Sequence, residues 1–187
     1  QAGNEKGKGF AWMMAGTALA QQGKHQEAVD RLLRALEVFT GLGMEFEQAS
    51  CHQNIGVSEA ALGRHDAAIR SYEAAVDLFA KLGFEEEQAE CLANIGLSQY
   101  SAERYEQAAE LHRRAVDLYR KLGLREQEAW GLQGLATAYR ALTRYDEADF
   151  CYQTALSIYT ELGKAAEQAA CLADLGVVET DRNRYTT

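Results

Sequence analysis

The sequence predicts an all-α fold, a right-handed superhelical solenoid of antiparallel helix pairs. Three observations predict it. First, small residues recur on a fixed grid: Gly43, Gly83, Gly123 and Gly163, then Ala28, Ala68, Ala108 and Ala148, then Ala35, Ala75, Ala115 and Ala155. Cys51, Cys91 and Cys171 sit on the same grid. A constant period of about 40 residues marks a repeat array, in which each unit buries its apolar face only by stacking on its neighbours. Second, apolar residues inside a unit follow helical steps. Tyr105, Ala108, His112, Ala115, Leu118, Tyr119 and Leu122 share one helix face. Third, turn residues interrupt the pattern at constant offsets, as at Gly23 and Gly63.

The units are 5–43, 44–83, 84–123, 124–163 and an incomplete 164–187, a single array over 1–187. Each is a helix A, a short turn and a helix B. Ala2-Gly3-Asn4 aligns with Leu42-Gly43-Met44, so a closing turn is expected there, and the first helix A is expected from about Glu5 to Gln22. In the third unit, Ala89, Leu92, Ile95 and Gly96 mark helix A, Ser101 to Arg104 the turn, and Tyr105 the start of helix B. Helix B closes with Leu-Gly and an apolar residue at Leu42-Gly43-Met44, Leu82-Gly83-Phe84 and Leu122-Gly123-Leu124. Glycine there takes the left-handed conformation, and the apolar residue packs back on the helix end. Leu162-Gly163-Lys164 lacks that residue, so a looser closure is expected. The last helix A is expected from Ala165 to Arg182. Tyr185 matches Tyr105 and Tyr145, so a further helix B is expected to begin there, in a chain cut from a longer protein. The apolar stripe Leu172, Leu175 and Val178 is then expected to be partly exposed and open to self-association.

Gly16, Gly56, Gly96 and Gly176 recur on helix A. A mid-helix glycine costs about 1 kcal/mol relative to alanine, so its recurrence implies close helix approach.

These residues resemble the tetratricopeptide repeat: a large residue, Leu-Gly, an aromatic, then Ala, an aromatic and Ala. The third unit supplies Leu92, Ile95-Gly96, Tyr105, Ala108, His112 and Ala115. The first supplies Trp12, Ala15-Gly16, Leu19, Gly23, Ala28, Leu32 and Ala35. The resemblance covers nearly the whole chain. The common repeat is 34 residues long and usually ends in proline. With no proline and a longer pair, this chain is more similar to the extended form found in G-protein-regulator adaptors and bacterial signalling regulators. One departure is the late helix A position, which prefers an aromatic. Glu59, Gln99 and Glu179 occupy it, and only Tyr139 conforms, which implies wetter packing.

Composition narrows function. The formal net charge of −9 opposes nucleic-acid binding, which rests on neutralising phosphates. No run is long and apolar enough to span a membrane. Cys51, Cys91 and Cys171 share a slot filled elsewhere by Ala11 and Gly131, which marks a small core position. No cysteine or histidine cluster has zinc spacing. Free cysteines suit a reducing cytoplasm. His25 and His65 share the slot of Tyr105, His52 that of Trp12, and His112 that of Tyr72 and Tyr152, all as packing aromatics. Catalytic and nucleotide-binding motifs are absent. The expectation is a cytoplasmic protein that is not an enzyme and has no cofactor, metal, nucleic-acid partner or membrane partner.

The resemblance places protein or peptide partners in a concave groove lined by the A helices. Carried over by position, the groove residues are Gln53, Asn54, Val57, Glu90, Asn94, Leu97, Tyr100, Trp130, Gln133, Thr137, Arg140 and Asp174. Side-chain amides there can donate to and accept from a peptide backbone, and Leu97, Tyr100 and Trp130 are anchor types. Arg140 is the only basic residue in the set, so a receptor for acidic chaperone tails is not expected. The leading function is a protein-interaction scaffold. The alternatives are a sensor that controls an attached ATPase, protease or transcription regulator, and a self-association module.

Overall fold

A computed structural model describes the backbone of residues 2–185 and the side chains of residues 3–183. Among the described residues there are nine α-helices and no strand: α1 Ala2–Gln21, α2 His25–Gly41, α3 Glu45–Ala61, α4 His65–Leu82, α5 Glu85–Ser101, α6 Tyr105–Leu122, α7 Arg125–Ala141, α8 Tyr145–Glu161 and α9 Ala165–Tyr185. The odd-numbered helices are the A helices of the sequence and the even-numbered ones the B helices.

Two kinds of tight turn set this order, and both close by the same backbone bonds. After α2, Gly43 N–H donates to the Thr40 carbonyl at 3.2 Å and Met44 N–H to the Phe39 carbonyl at 2.9 Å. Gly43 has φ 65°, so the turn is a Schellman closure. Gly83, Gly123 and Gly163 repeat it. The looser fourth closure is not seen. Lys164 N–H reaches the Tyr159 carbonyl at the same 2.9 Å, because glycine and backbone make this turn. The turns that end the A helices use Gly23 and Gly63, but then Glu103 at φ 59° and Thr143 at φ 58°. These two side chains accept a left-handed backbone that normally favours glycine.

The polar late-A slot has a use. Arg64 Nη1 donates to Glu59 Oε2 and Arg104 Nη1 to Gln99 Oε1, both at 3.2 Å. Arg144 lies 4.4 Å from the centroid of the Tyr139 ring. The arginine just before α4, α6 and α8 is thus tied back by its side chain to the preceding A helix.

The chain forms two compact units, residues 1–98 and 99–187. In the first, α2 packs against both α1 and α3, and α3 against α4. Phe39 is fully buried with Ala35 and Cys51, and Phe10 meets its ring edge-on at 5.2 Å. Phe46, Phe79 and Phe84 form a second aromatic group, with Phe46 and Phe84 at 4.7 Å. In the second unit, α6, α7, α8 and α9 pack in sequence around buried Leu132, Leu135, Tyr152, Ile158, Tyr159 and Cys171.

Helix approach is close where helix A carries glycine. A Cβ on Gly16 would lie 2.7 Å from Leu32 and 3.2 Å from the Ala28 carbonyl, and one on Gly56 would lie 2.7 Å from the Tyr72 ring. Gly176 has nothing within reach. A still tighter approach than at Gly16 or Gly56 is one the repeat pattern does not single out. Gly134, in the slot of Asn54 and Asn94, would place a Cβ 2.4 Å from the His112 ring.

Both expected ends differ. Residues 2–4 are the first turn of α1 and not a closing turn, and Gly3 lacks the positive φ of Gly43. At the other end α9 runs through to Tyr185 without the break expected before it. Asn183 occupies the slot of Gly23 and Gly63 but stays helical. Of the last apolar stripe, Leu172 is 57% exposed, Leu175 is half-buried and Val178 is buried.

Candidate functional site

The residues expected in the groove all lie on A helices, and their surroundings differ between the two units. In the first unit, Val57 on α3 and Leu97 on α5 hold one slot and remain 44% and 42% exposed. Gln53, Asn54 and Asn94 are half-buried and Glu90 is exposed. Asn54 Nδ2 donates to the Ser50 carbonyl of its own helix at 2.8 Å, so part of that amide is already used. Ser58 and Ser98, buried beneath, donate to the Asn54 and Asn94 carbonyls at 3.0 Å. This satisfies two hydroxyls that would otherwise be costly to bury.

In the second unit, Trp130 on α7 is 39% exposed and Val177 on α9 is 41% exposed. The Tyr100 ring packs tilted against Tyr105, 5.2 Å between centroids and 57° between planes. Gln133 and Thr137 are drawn into a network with α8. Tyr159 OH donates to Gln133 Oε1 at 2.9 Å. Thr137 Oγ1 donates to the Gln133 carbonyl at 2.8 Å, so its 2.8 Å contact with Tyr152 OH is donated by the tyrosine. Burial pushes the Tyr159 phenol up to about 12, so it stays a donor at neutral pH. Arg140 Nη1 lies 3.5 Å from Asp181 Oδ2. Burial raises the Asp174 carboxyl, and Arg140 nearby partly offsets that. The one basic groove candidate therefore already has carboxylate company, which further disfavours an acidic tail.

Tyr152, Tyr159 and Asp181 were missed as members of this network. The tyrosines follow the repeat register, but periodicity gives the face of a residue and not its hydrogen-bond partner. Glu128 was missed too. Its slot holds Gln48 and Gln168, whose amides donate to the Phe39 and Tyr159 carbonyls at 3.2 and 3.1 Å. Glu128 is instead a buried carboxylate held by Arg120 Nε at 2.9 Å and Arg125 Nη1 at 2.8 Å.

The nucleophile candidates are quiet. All four cysteines are free and buried, and burial pushes the Cys51 and Cys91 thiols up to about 12. A thiol at that level is not a thiolate at neutral pH. His112 is 2% exposed, which fits its reading as a packing aromatic. Among the described residues no three His, Cys, Asp or Glu side chains gather to hold a metal. No helix of the described chain is long and apolar enough to cross a membrane.

One sequence profile described as tetratricopeptide repeat matches residues 8–81 and again 47–121, and a second matches 131–162. The chain belongs to the tetratricopeptide repeat family. A comparison with curated protein sequences finds no match. Among solved structures, the apo form of RapI has a TM-score of 0.85 at 16% identity over 96% of this chain and 50% of that one. A signal-transduction ATPase (STAND) protein with a tetratricopeptide repeat sensor, from Pyrococcus horikoshii, has 0.85 at 17% identity over 93% and 27%. A Rap protein complexed with competence and sporulation factor has 0.70 at 15% identity over 94% and 55%. At these identities the likeness is one of fold. The chain spans about half the length of the two Rap proteins and about a quarter of the ATPase.

Proposed function

We propose that this tetratricopeptide repeat chain is an interaction scaffold that holds a peptide or helix against the groove face of its A helices. The observation that carries the reading is the repeated exposure of one slot. Val57, Leu97 and Val177 stay more than 40% exposed in chemistry that would otherwise be buried, with Asn54, Asn94 and Trp130 beside them in sequence register. Apolar anchors flanked by amides suit an extended or helical polypeptide. A Rap protein of the same fold is complexed with competence and sporulation factor, which agrees with a binding role. Cytoplasmic location goes with this reading.

The test is a pull-down from extract of the source cells, followed by titration of the captured partner. Asn94→Ala should lower affinity by roughly 0.5–1.5 kcal/mol if its amide bonds the partner's backbone, and Trp130→Ala should lower it further. Arg113 on α6, half-exposed in ion pairs with Glu110 and Asp117, is the control. Equal loss with Arg113→Ala while Asn94→Ala is silent would defeat the reading.

A second reading has one observation in its favour, the shared fold with the ATPase's repeat sensor. On that reading partner binding controls an attached effector domain. It predicts that the effector's activity changes on adding partner, and that Asn94→Ala blunts the change.

A further inference from the structure

Among the groove slots of residues 1–98, one holds a charge. Glu90, Asn94 and Leu97 fall at i, i+4 and i+7, so they share one face of α5, with about 10 Å along the helix axis from the first to the last. Ser50, Asn54 and Val57 hold the same slots on α3. The slots of Glu90, Ala93, Asn94 and Leu97 hold no other charged side chain on α1, α3 or α5. Together α3 and α5 carry seven carboxylates and no Lys or Arg. Five of the seven sit in the first turns, where they complement the helix dipole. Glu59 is paired with Arg64 at 3.2 Å. Glu90 has neither use. It is exposed, with no hydrogen bond or ion pair among the described residues. Its charge is felt inside the fold, where burial first, and Glu90 after it, push the Cys91 thiol up.

On the reading of this groove as a partner seat, we propose that it takes a polypeptide segment carrying a lysine or arginine close to an apolar side chain. The cation lies against Glu90 and the apolar group against Leu97 and Val57. These two stay 42% and 44% exposed, and a segment laid over them also covers the carboxylate about two helical turns away. A carboxylate that loses water without gaining a cation is penalised. Neutral flanks on the occupant therefore bind less well, and acidic flanks add like-charge repulsion. A lysine or arginine replaces the lost hydration with a charge-assisted hydrogen bond. The net charge of −9 attracts cations to the whole chain as well, so a carboxylate outside the groove serves as the control.

The experiment offers the immobilised protein a pool of short synthetic peptides, each with a central leucine and Lys, Glu, Gln, Ala or Ser at the other positions, and sequences the retained fraction. The wild type should retain Lys over Glu at least about threefold near the leucine, an excess that salt shrinks. Glu90→Gln should remove most of the excess, and Glu90→Lys should reverse it. Glu73 is an exposed carboxylate on the B helix α4. Glu73→Gln takes the same charge from the chain and should leave the excess in place. Since Glu90 is exposed, an unchanged far-ultraviolet circular dichroism spectrum checks the fold of its variants. Retention without a charge preference, an excess that Glu90→Gln leaves intact, or equal loss with Glu73→Gln would each overturn the proposal. Val57→Ser with Leu97→Ser tests the seat itself. Where the two serines abolish retention but the Glu90 variants change nothing, the groove stands and the basic partner falls. Where nothing is retained, or the serines change nothing, the groove reading falls and takes the basic partner with it.

Discussion

His112 shows what one position can hide. Its ring is 2% exposed, Nδ1 is buried without a hydrogen-bond partner, and a Cβ on Gly134 would reach to 2.4 Å. Burial pushes its pKa down from 6.5 to about 4. The folded state therefore holds the neutral form. That contribution is complete above the unfolded pKa of 6.5 and drains away as pH falls toward 4, where the loss levels off. Between pH 7 and 5 the cost is about 2 kcal/mol. Denaturant melts at the two pH values should show that extra loss in the wild type, and His112→Phe should be free of it. Equal pH sensitivity of the two proteins would refute the assignment. Gly134→Ala should destabilise by about 1–3 kcal/mol at pH 7 by overpacking the same contact. An unchanged melting temperature would mean that the helices yield easily there.

At the scale of the element, the turns and helix starts carry the testable chemistry. Thr143 takes φ 58° with a β-branched side chain where two other turns use glycine. Left-handed backbone costs an L-residue roughly 1–2 kcal/mol, part of which glycine returns as unfolded-state entropy. Thr143→Gly should thus raise stability by up to about 1 kcal/mol, read as a higher urea midpoint at constant slope. A lower midpoint would show that the threonine's contacts outweigh its strain. The start of α7 offers a contrast between removing a charge and stranding it. Glu128→Gln places an amide where Gln48 and Gln168 already serve, so it should change stability by less than about 1 kcal/mol. Arg120→Ala with Arg125→Ala strips both partners from a buried carboxylate and should cost about 3–5 kcal/mol. Similar losses from the two changes would mean that the pair itself, and not the uncompensated charge, sets the energetics.

For the whole molecule, net charge and composition give the broadest prediction. A chain of net charge −9 lacks the cation excess that releases counterions from a phosphate backbone. Titration with duplex DNA near 150 mM salt should show no saturable binding. A measurable affinity that falls steeply with salt would reveal a basic surface hidden by the average.

The sequence by itself determined the helix pairs, their register and their closing turns, because these are local. Leu42-Gly43-Met44 carries the glycine and the apolar residue that the turn needs, and Tyr105 to Leu122 carries its own apolar face. It was also enough for the core role of Cys51, Cys91 and Cys171, since a slot held to small residues marks close packing. Tertiary structure decided what lies opposite each face. Ala11 and Cys51 share a slot, yet one is exposed and the other fully buried. Gln133 and Thr137 read as free groove residues, yet Tyr159 and Tyr152 already engage them. Glu103 and Thr143 carry no left-handed preference, but the packed helices on either side hold them there. The physical reason is the same in each case. Periodicity sets the direction in which a side chain leaves its helix, while burial and pairing depend on residues distant in sequence that only folding brings within reach.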